Sequence, residues 1–196
     1  METQFTEQDS LRVIHEMIEN SKAKLKDNGF FYLLWGWLVL IASLSNFFLL
    51  KIEFEQAWLP WPVLMFSGGI VSGIAGYRLG KKAKVRTMLD SSMIYLWYGF
   101  LVTLLIILIS GSSGKISWSV MDALIIALYG LGTFVSGGIL KFKPLIFGGI
   151  FSWGIAIVTL FIPDIYCLLM VALSIVVSYL IPGYMLRSRF NNNSHV

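Results

Sequence analysis

Charged residues are scarce in this chain of 196 residues, at 13%, whereas hydrophobic residues make up 57%. Soluble domains usually carry about 25% charged and roughly 45–50% apolar residues. A water-soluble fold of this size could not bury so much apolar surface, and the few charges lie in short clusters between long uncharged stretches. The composition therefore predicts an integral membrane protein.

Cysteine and histidine are almost absent, since Cys167 is the single cysteine and His15 and His195 are the two histidines. One cysteine excludes an intramolecular disulfide framework and a multi-cysteine metal site. The chain also lacks a Gly-rich phosphate loop, an HExxH motif and paired aspartates. We therefore predict no enzyme, no metal site and no cofactor. Residues 1–28 are polar, so a cleaved signal peptide is not expected.

Six runs with few or no charges are long enough to cross a hydrocarbon core of about 30 Å as helices. Continuous apolar stretches such as residues 101–109 lack the alternation of a membrane β-barrel. We predict an all-α polytopic protein, a six-transmembrane-helix bundle in a domain spanning residues 29–186. The predicted spans are Gly29–Leu50, Trp58–Leu79, Ser92–Ser110, Trp118–Leu140, Pro144–Ile162 and Ile165–Leu186.

Lysine and arginine fall almost entirely on one side of this topology, thirteen against two. Cytoplasmic loops carry such an excess, which places both termini and the polar tail 187–196 in the cytoplasm. Five or seven spans would scatter the basic loops over both faces. The same rule accounts for the net charge of +4, so no nucleic acid partner is inferred. Anionic lipid head groups are an alternative reason for the basic clusters.

The segment before the first span, residues 1–28, is predicted to contain an amphipathic cytoplasmic helix over residues 7–27. Asp27-Asn28-Gly29 is the predicted stop. One interpretation is a docking helix for a partner or for a second copy of the chain. The other is a helix that lies in the membrane interface or on the bundle. The apolar face consists of Leu11, Ile14, Met17, Ile18 and Leu25.

Small residues recur at helical spacing in the second, fourth and fifth spans. Such small-xxx-small pairs let helix backbones approach closely, and we expect most of them to pack within the chain. Homo-oligomerisation is the other use of such pairs. The predicted packing residues are Gly69, Gly73, Gly76, Gly80, Gly132, Ser136, Gly148 and Ser152.

Polar groups are rare inside the spans. Asp122 is the only acidic residue well within a span, and Asn46 lies at a similar depth in the first. Ionisable groups in a membrane often mark ion or solute pathways, so the two residues are a candidate polar site. The alternative is that Asp122 lies close enough to the surface to be hydrated.

Two further patterns concern the origin of the chain. Residues 32–39 align with residues 95–102, which suggests three similar helical hairpins. Residues 29–43 read GFFYLLWGWLVLIAS and follow Ile14-His-Glu-Met-Ile18. This combination resembles small bacterial six-helix inner-membrane proteins for which no activity is established. The resemblance implies a multi-pass protein of the bacterial inner membrane and assigns no functional residue.

Two hypotheses of function follow. The first is a non-enzymatic membrane protein that scaffolds or regulates a partner through its cytoplasmic helix and glycine faces. The second is a small transporter or channel for an uncharged or lipid-like solute, lined by Asn46, Asp122 and serines. A polar cavity that reaches the middle of the bilayer would favour the second.

Overall fold

The structure is a computed structural model that describes the backbone of residues 7–82 and 88–191 and the side chains of residues 29–81 and 91–188. This part of the chain is entirely helical, as predicted, with six helical rods, five of them long and apolar enough to cross a membrane. The helices are α1 (Glu7–Lys51), α2 (Pro60–Lys82), α3 (Met88–Ser112), α4 (Trp118–Ile139), α5 (Lys143–Thr159), α6 (Asp164–Ile175) and α7 (Ile181–Asn191). A π-helical turn, Val176–Leu180, joins the last two, so that α6, this turn and α7 together form the sixth rod.

The fifth predicted span is shorter than expected. It was expected to reach Ile162, but α5 ends at Thr159 after 17 residues and a turn follows. Pro163 explains the early end, because a proline disfavours the helical conformation of the residue before it. A helix of this length extends about 25 Å, which is less than a hydrocarbon core of about 30 Å.

The first helix is longer than expected. α1 runs from Glu7 to Lys51 without a break, so the stop predicted at Asp27-Asn28-Gly29 does not occur. At Gly29 a Cβ atom would lie 3.6 Å from the backbone nitrogen of Arg187 and from the carbonyl oxygen of Gly183. This glycine therefore brings α1 against α7 instead of ending a helix.

The π-helical turn lies just before Pro182 in the sixth rod. A proline in a helix cannot donate its hydrogen bond, and its ring clashes with the carbonyl four residues earlier, here that of Ser178. The backbone adapts by widening, and the amide of Ile181 donates to the carbonyl of Val176, five residues back. Helix continues as α7 as far as Asn191. The proline thus alters the helix without ending it.

The rods form two groups. α4 and α5 pair closely, and α6, the π-turn and α7 pack against this pair and against α1. We call α1 from Gly29 onward, α4, α5, α6, the π-turn and α7 the compact half. Among the described residues, the backbone of α2 approaches only α1, and that of α3 approaches only α4. α2 and α3 are therefore peripheral helices, and they do not pack against each other.

The two ends of the bundle differ in charge. The end that contains the α4–α5 turn and α7 is called the basic end. All four acidic residues among the described side chains lie at the opposite end, together with Lys51 and Lys115. The described cations of the basic end are Arg78, Lys81, Lys141, Lys143 and Arg187, and the four acids are Glu53, Glu55, Asp122 and Asp164.

Candidate functional site

Four glycines of α2 form one face that has no neighbour among the described residues. Gly69, Gly73, Gly76 and Gly80 are separated by four, three and four residues, which places them along one side of a helix over about 16 Å. A Cβ atom built on any of them meets no atom of the described residues within 4 Å. The structure therefore differs from the expectation of intrachain packing at these four positions. We call them the α2 glycine face.

A neighbouring glycine shows how α2 meets α1. At Gly68 an added Cβ would collide with a methyl group of Leu38 and would lie 3.4 Å from the ring of Trp35. Gly68 precedes Gly69 by one residue, so the α1 contact lies about 100° around the helix from the α2 glycine face. Only 6% of the α2 span is buried, compared with 61% of the α4 span. Most of the α2 surface is thus free to contact lipid or another protein.

The remaining predicted packing residues are in close contact within the compact half or with α3. A Cβ at Gly132 would lie 3.3 Å from the ring of Phe100 in α3, and one at Gly148 would lie 2.9 Å from the Cα of Ser178. The Ser136 hydroxyl donates to the carbonyl of Gly132 at 2.6 Å. Ser152 lies 2.9 Å from Ser174 and accepts a hydrogen bond from its hydroxyl. These residues bring helices together as small-xxx-small pairs do.

Three other glycines, absent from the predicted set, bring α4 and α5 into close contact. A Cβ at Gly149 would lie 2.7 Å from the carbonyl oxygen of Gly130, and one at Gly137 would lie 2.7 Å from the amide nitrogen of Ile146. Gly130 and Gly137 are seven residues apart, a spacing that places them on one helix face. The indole of Trp153 fills the space beside Gly130 and donates to the carbonyl of Ala127 at 3.1 Å. Sequence reasoning missed this seven-residue spacing.

Five aromatic rings form a closed series of contacts inside the bundle. Tyr32 contacts Trp97 and Tyr179, and Tyr129 contacts Tyr179 and Phe100, with ring centroids 5.4–6.2 Å apart. Trp97 and Phe100 complete the series at 5.2 Å. Tilted and edge-to-face pairs of this kind contribute about 0.5–1.5 kcal/mol each beyond area burial. Through them α3 is attached to α1 and α4, and these two helices are attached to the π-turn.

Two hydroxyls of this aromatic series are enclosed without a hydrogen-bond partner among the described residues, those of Tyr32 and Tyr179. Tyr32 approaches Ser136, whose hydroxyl is directed to the carbonyl of Gly132 instead. Tyr179 belongs to the π-helical turn, where Ser178 donates to the carbonyl of Ser174 at 2.7 Å. π-Helical turns occur frequently at functional sites. The interior therefore holds unused hydrogen-bonding capacity at an irregular turn.

The two residues of the predicted polar site have separate partners. The Asn46 amide donates to the carbonyl of Ala57 at 2.7 Å and so fastens the α1–α2 loop. Asp122 is 9% exposed and makes no hydrogen bond or ion pair with the described residues. Asp164 and Cys167 are near Asp122 at this opposite end.

The predicted docking face of the N-terminal helix lies outside the described side chains. The backbone of these residues is helical within α1, and nothing further is assigned to them. In the described part of the chain, no group of three or more His, Cys, Asp or Glu residues is suitably placed for a metal ion.

The chain matches no protein-family model, no curated protein and no solved structure. Its resemblance to small bacterial inner-membrane proteins therefore stays a prediction.

Proposed function

We propose that this protein is a non-enzymatic integral membrane protein that scaffolds or regulates a second membrane protein by lateral contact through the α2 glycine face. In this proposal all six rods cross the bacterial inner membrane, and both termini are cytoplasmic. The observation that carries the proposal is a contrast between two sets of glycines. The four of the α2 glycine face have no neighbour within 4 Å among the described residues, whereas a Cβ atom at Gly130, Gly137, Gly148 or Gly149 of α4 and α5 would come within 3 Å of another helix.

The composition of α2 supports association. Glycine is about 0.8–1.0 kcal/mol less favourable than alanine in a helix interior, so four glycines on a face that meets only lipid would weaken the helix without a compensating contact. Close backbone approach to a second helix supplies that contact, since membrane helices associate by packing and not by hydrophobic transfer. The large exposed side chains Phe66, Ile70 and Tyr77 flank the face and can pack around an incoming helix.

The test is photo-crosslinking in native membranes from a residue placed at position 77, where the large exposed side chain of Tyr77 already flanks the face. We expect one adduct of defined mass, and Gly76→Leu should abolish it because a large side chain separates the two backbones. Position 151 of α5 is the matched control, since Phe151 is also a large exposed side chain but lies outside the glycine face.

The mass of the adduct identifies the partner. A product of twice the chain mass of 22.1 kDa indicates a second copy, and any other defined mass indicates a different protein. Labelling of lipid alone at position 77, or the same products at positions 77 and 151, would contradict the proposal.

The enclosed tyrosine hydroxyls favour a second candidate, a small transporter for an uncharged or lipid-like solute. A polar group of the solute would supply the hydrogen bonds that Tyr32 and Tyr179 lack among the described residues. Tyr179→Phe should then leave folding intact and reduce uptake of the solute by whole cells. If a panel of labelled small alcohols and lipids enters cells equally well with wild type, Tyr179→Phe and no protein, this candidate is excluded.

A further inference from the structure

A pocket of about 580 Å³ opens at the basic end, between the α4–α5 turn and α7. Two of the side chains that line it are cationic, one carries a hydroxyl and three are apolar. The lining residues are Lys141, Phe142, Lys143, Pro144, Met185 and Ser188.

Backbone hydrogen bonds define the α4–α5 turn, which carries both lysines. The amide of Lys141 donates to the carbonyl of Gly138 at 3.2 Å, and that of Phe142 donates to the carbonyl of Gly137 at 2.9 Å. This hydrogen-bond pair is a Schellman motif, in which the residue in the left-handed conformation is usually glycine. Here that residue is Lys141, with φ of 51°. Lys141 therefore has a backbone conformation that is strained for a residue with a Cβ atom.

Phe142 separates the two lysines and anchors the turn. Its backbone is extended, with φ of −115° and ψ of 98°, and its side chain is buried at 5% exposure. Lys141 and Lys143 remain exposed on either side and line the same pocket. The cations are therefore held near each other by a rigid turn, and neither forms an ion pair with the described part of the chain.

The start of α5 adds to the positive potential of the pocket. α5 begins at Lys143, and Phe142 provides no side-chain hydrogen bond to cap it. Pro144 has no N–H and the amide of Leu145 donates to the carbonyl of Phe142 at 3.2 Å, so the first turn contributes mainly its helix dipole, which favours an anion. The hydroxyl of Ser188 on α7 is a further hydrogen-bond donor on the opposite wall of the pocket.

The apolar wall of the pocket continues along the bundle. Met185 is 49% exposed, and Ile181, one helical turn earlier on the same face of α7, is 51% exposed. Polar groups lie at the basic end, and apolar surface extends from them toward the middle of the rod. This is the arrangement that an amphiphile with an anionic head would fit.

We propose that this pocket binds the phosphodiester head group of an anionic phospholipid, with an acyl chain lying along Met185 and Ile181. Basic pockets between transmembrane helices recognise such head groups by charge and hydrogen bonding. The positive-inside rule explains cations at this end, but it does not require a lysine at the left-handed position of a Schellman motif.

The test measures lipid binding to the full chain in non-ionic detergent by native mass spectrometry, with phosphatidylglycerol as the probe. The double variant Lys141→Ala/Lys143→Ala should weaken binding by roughly 30-fold, the value for two cationic contacts. The matched control is Arg78→Ala/Lys81→Ala, which removes two exposed cations of the same end outside the pocket. The control should lose less than about threefold, since it keeps both pocket contacts.

Two further arms distinguish a lipid from free phosphate. Inorganic phosphate at the concentration of the lipid should not displace it, and Met185→Ser should weaken lipid binding because the acyl chain loses its wall. Displacement by phosphate, or equal losses in the two double variants, would overturn the proposal.

Lys141→Gly separates this binding role from a purely structural one. Glycine relieves the strain at φ of 51°, so thermal unfolding should occur at a higher temperature while affinity for phosphatidylglycerol falls. Glu53→Gly is the control, because Glu53 has φ of 55° at the opposite end and its replacement should leave lipid affinity unchanged. Unchanged affinity in Lys141→Gly would show that the positioned cation is not needed.

Discussion

The compact half and the peripheral helices use glycine in opposite ways. In α5, Gly149 lies so close to α4 that a Cβ atom would be 2.7 Å from a backbone carbonyl, whereas Gly73 in α2 has no neighbour within 4 Å. Both helices are apolar and rich in small residues, but only one has its small-residue face covered within the chain. A glycine-rich face thus indicates close backbone contact without indicating whether the contacting helix belongs to the same chain.

The largest difference between a buried and an exposed contact is expected in α3, at the aromatic residues that attach this helix to the bundle. Phe100 is buried against Trp97 and Tyr129, so Phe100→Ala should lower the free energy of unfolding by about 3 kcal/mol through lost contacts and a cavity. Equilibrium unfolding in mixed micelles measures this. Leu105 on the same helix is 58% exposed, and Leu105→Ala should have little effect. Equal losses would mean that α3 is not attached through its aromatic residues.

Replacing a glycine by alanine in the compact half and in a peripheral helix should give the next largest difference in stability. Gly149→Ala should destabilise the fold by about 1–3 kcal/mol, because the backbone of Gly130 and Phe134 must move. Gly73→Ala should stabilise the fold by up to about 1 kcal/mol, since alanine favours the helix and the new methyl group meets no described atom within 4 Å. Thermal unfolding of both variants in detergent compares them directly. A marked loss for Gly73→Ala would show that α2 packs within the chain after all.

The smallest expected effect concerns a hydrogen bond between helices of the compact half. Ser174→Ala removes the 2.9 Å hydrogen bond to Ser152 and should cost about 0.6 kcal/mol, the average for such bonds in membranes. A double-mutant cycle with Ser152→Ala measures the coupling between the two residues. Ser67→Ala in α2 is the control, because Ser67 bonds only to its own helix at Leu64. Coupling near zero would indicate that shape, and not hydrogen bonding, holds these helices together.

The predicted helices agree with the structure where a local property sets them. Long uncharged runs identified the membrane-spanning helices, but the ends of α1 and α5 depend on other signals. Pro163 is a local signal near the end of α5, but the span was predicted to reach Ile162 and the helix ends at Thr159. The continuation of α1 through Asn28 was not readable, because Gly29 is in contact with α7, more than 150 residues away. Helix ends that depend on a distant contact cannot be found by a local pattern.

For the candidate sites, too, the residue types were readable from the sequence but their contacts were not. The sequence identified the glycines of α2 as packing residues and placed the basic clusters on one side of the membrane. It did not indicate that the four glycines of the α2 glycine face have no neighbour among the described residues. Nor did it indicate that Lys141 has a φ of 51° and lines a pocket. Those facts depend on which helices are adjacent and how a turn is bonded, and neither follows from spacing alone.

By itself the sequence determined the class of this protein, an all-helical membrane protein with its basic residues in clusters, because hydrophobic length and charge are local properties. The tertiary structure alone decided which glycines are in contact, where the π-turn is accommodated and how five aromatic rings meet. The physical reason is that helices in lipid associate through shape and hydrogen bonding between particular faces. The pairing of those faces is settled only when all the helices have packed.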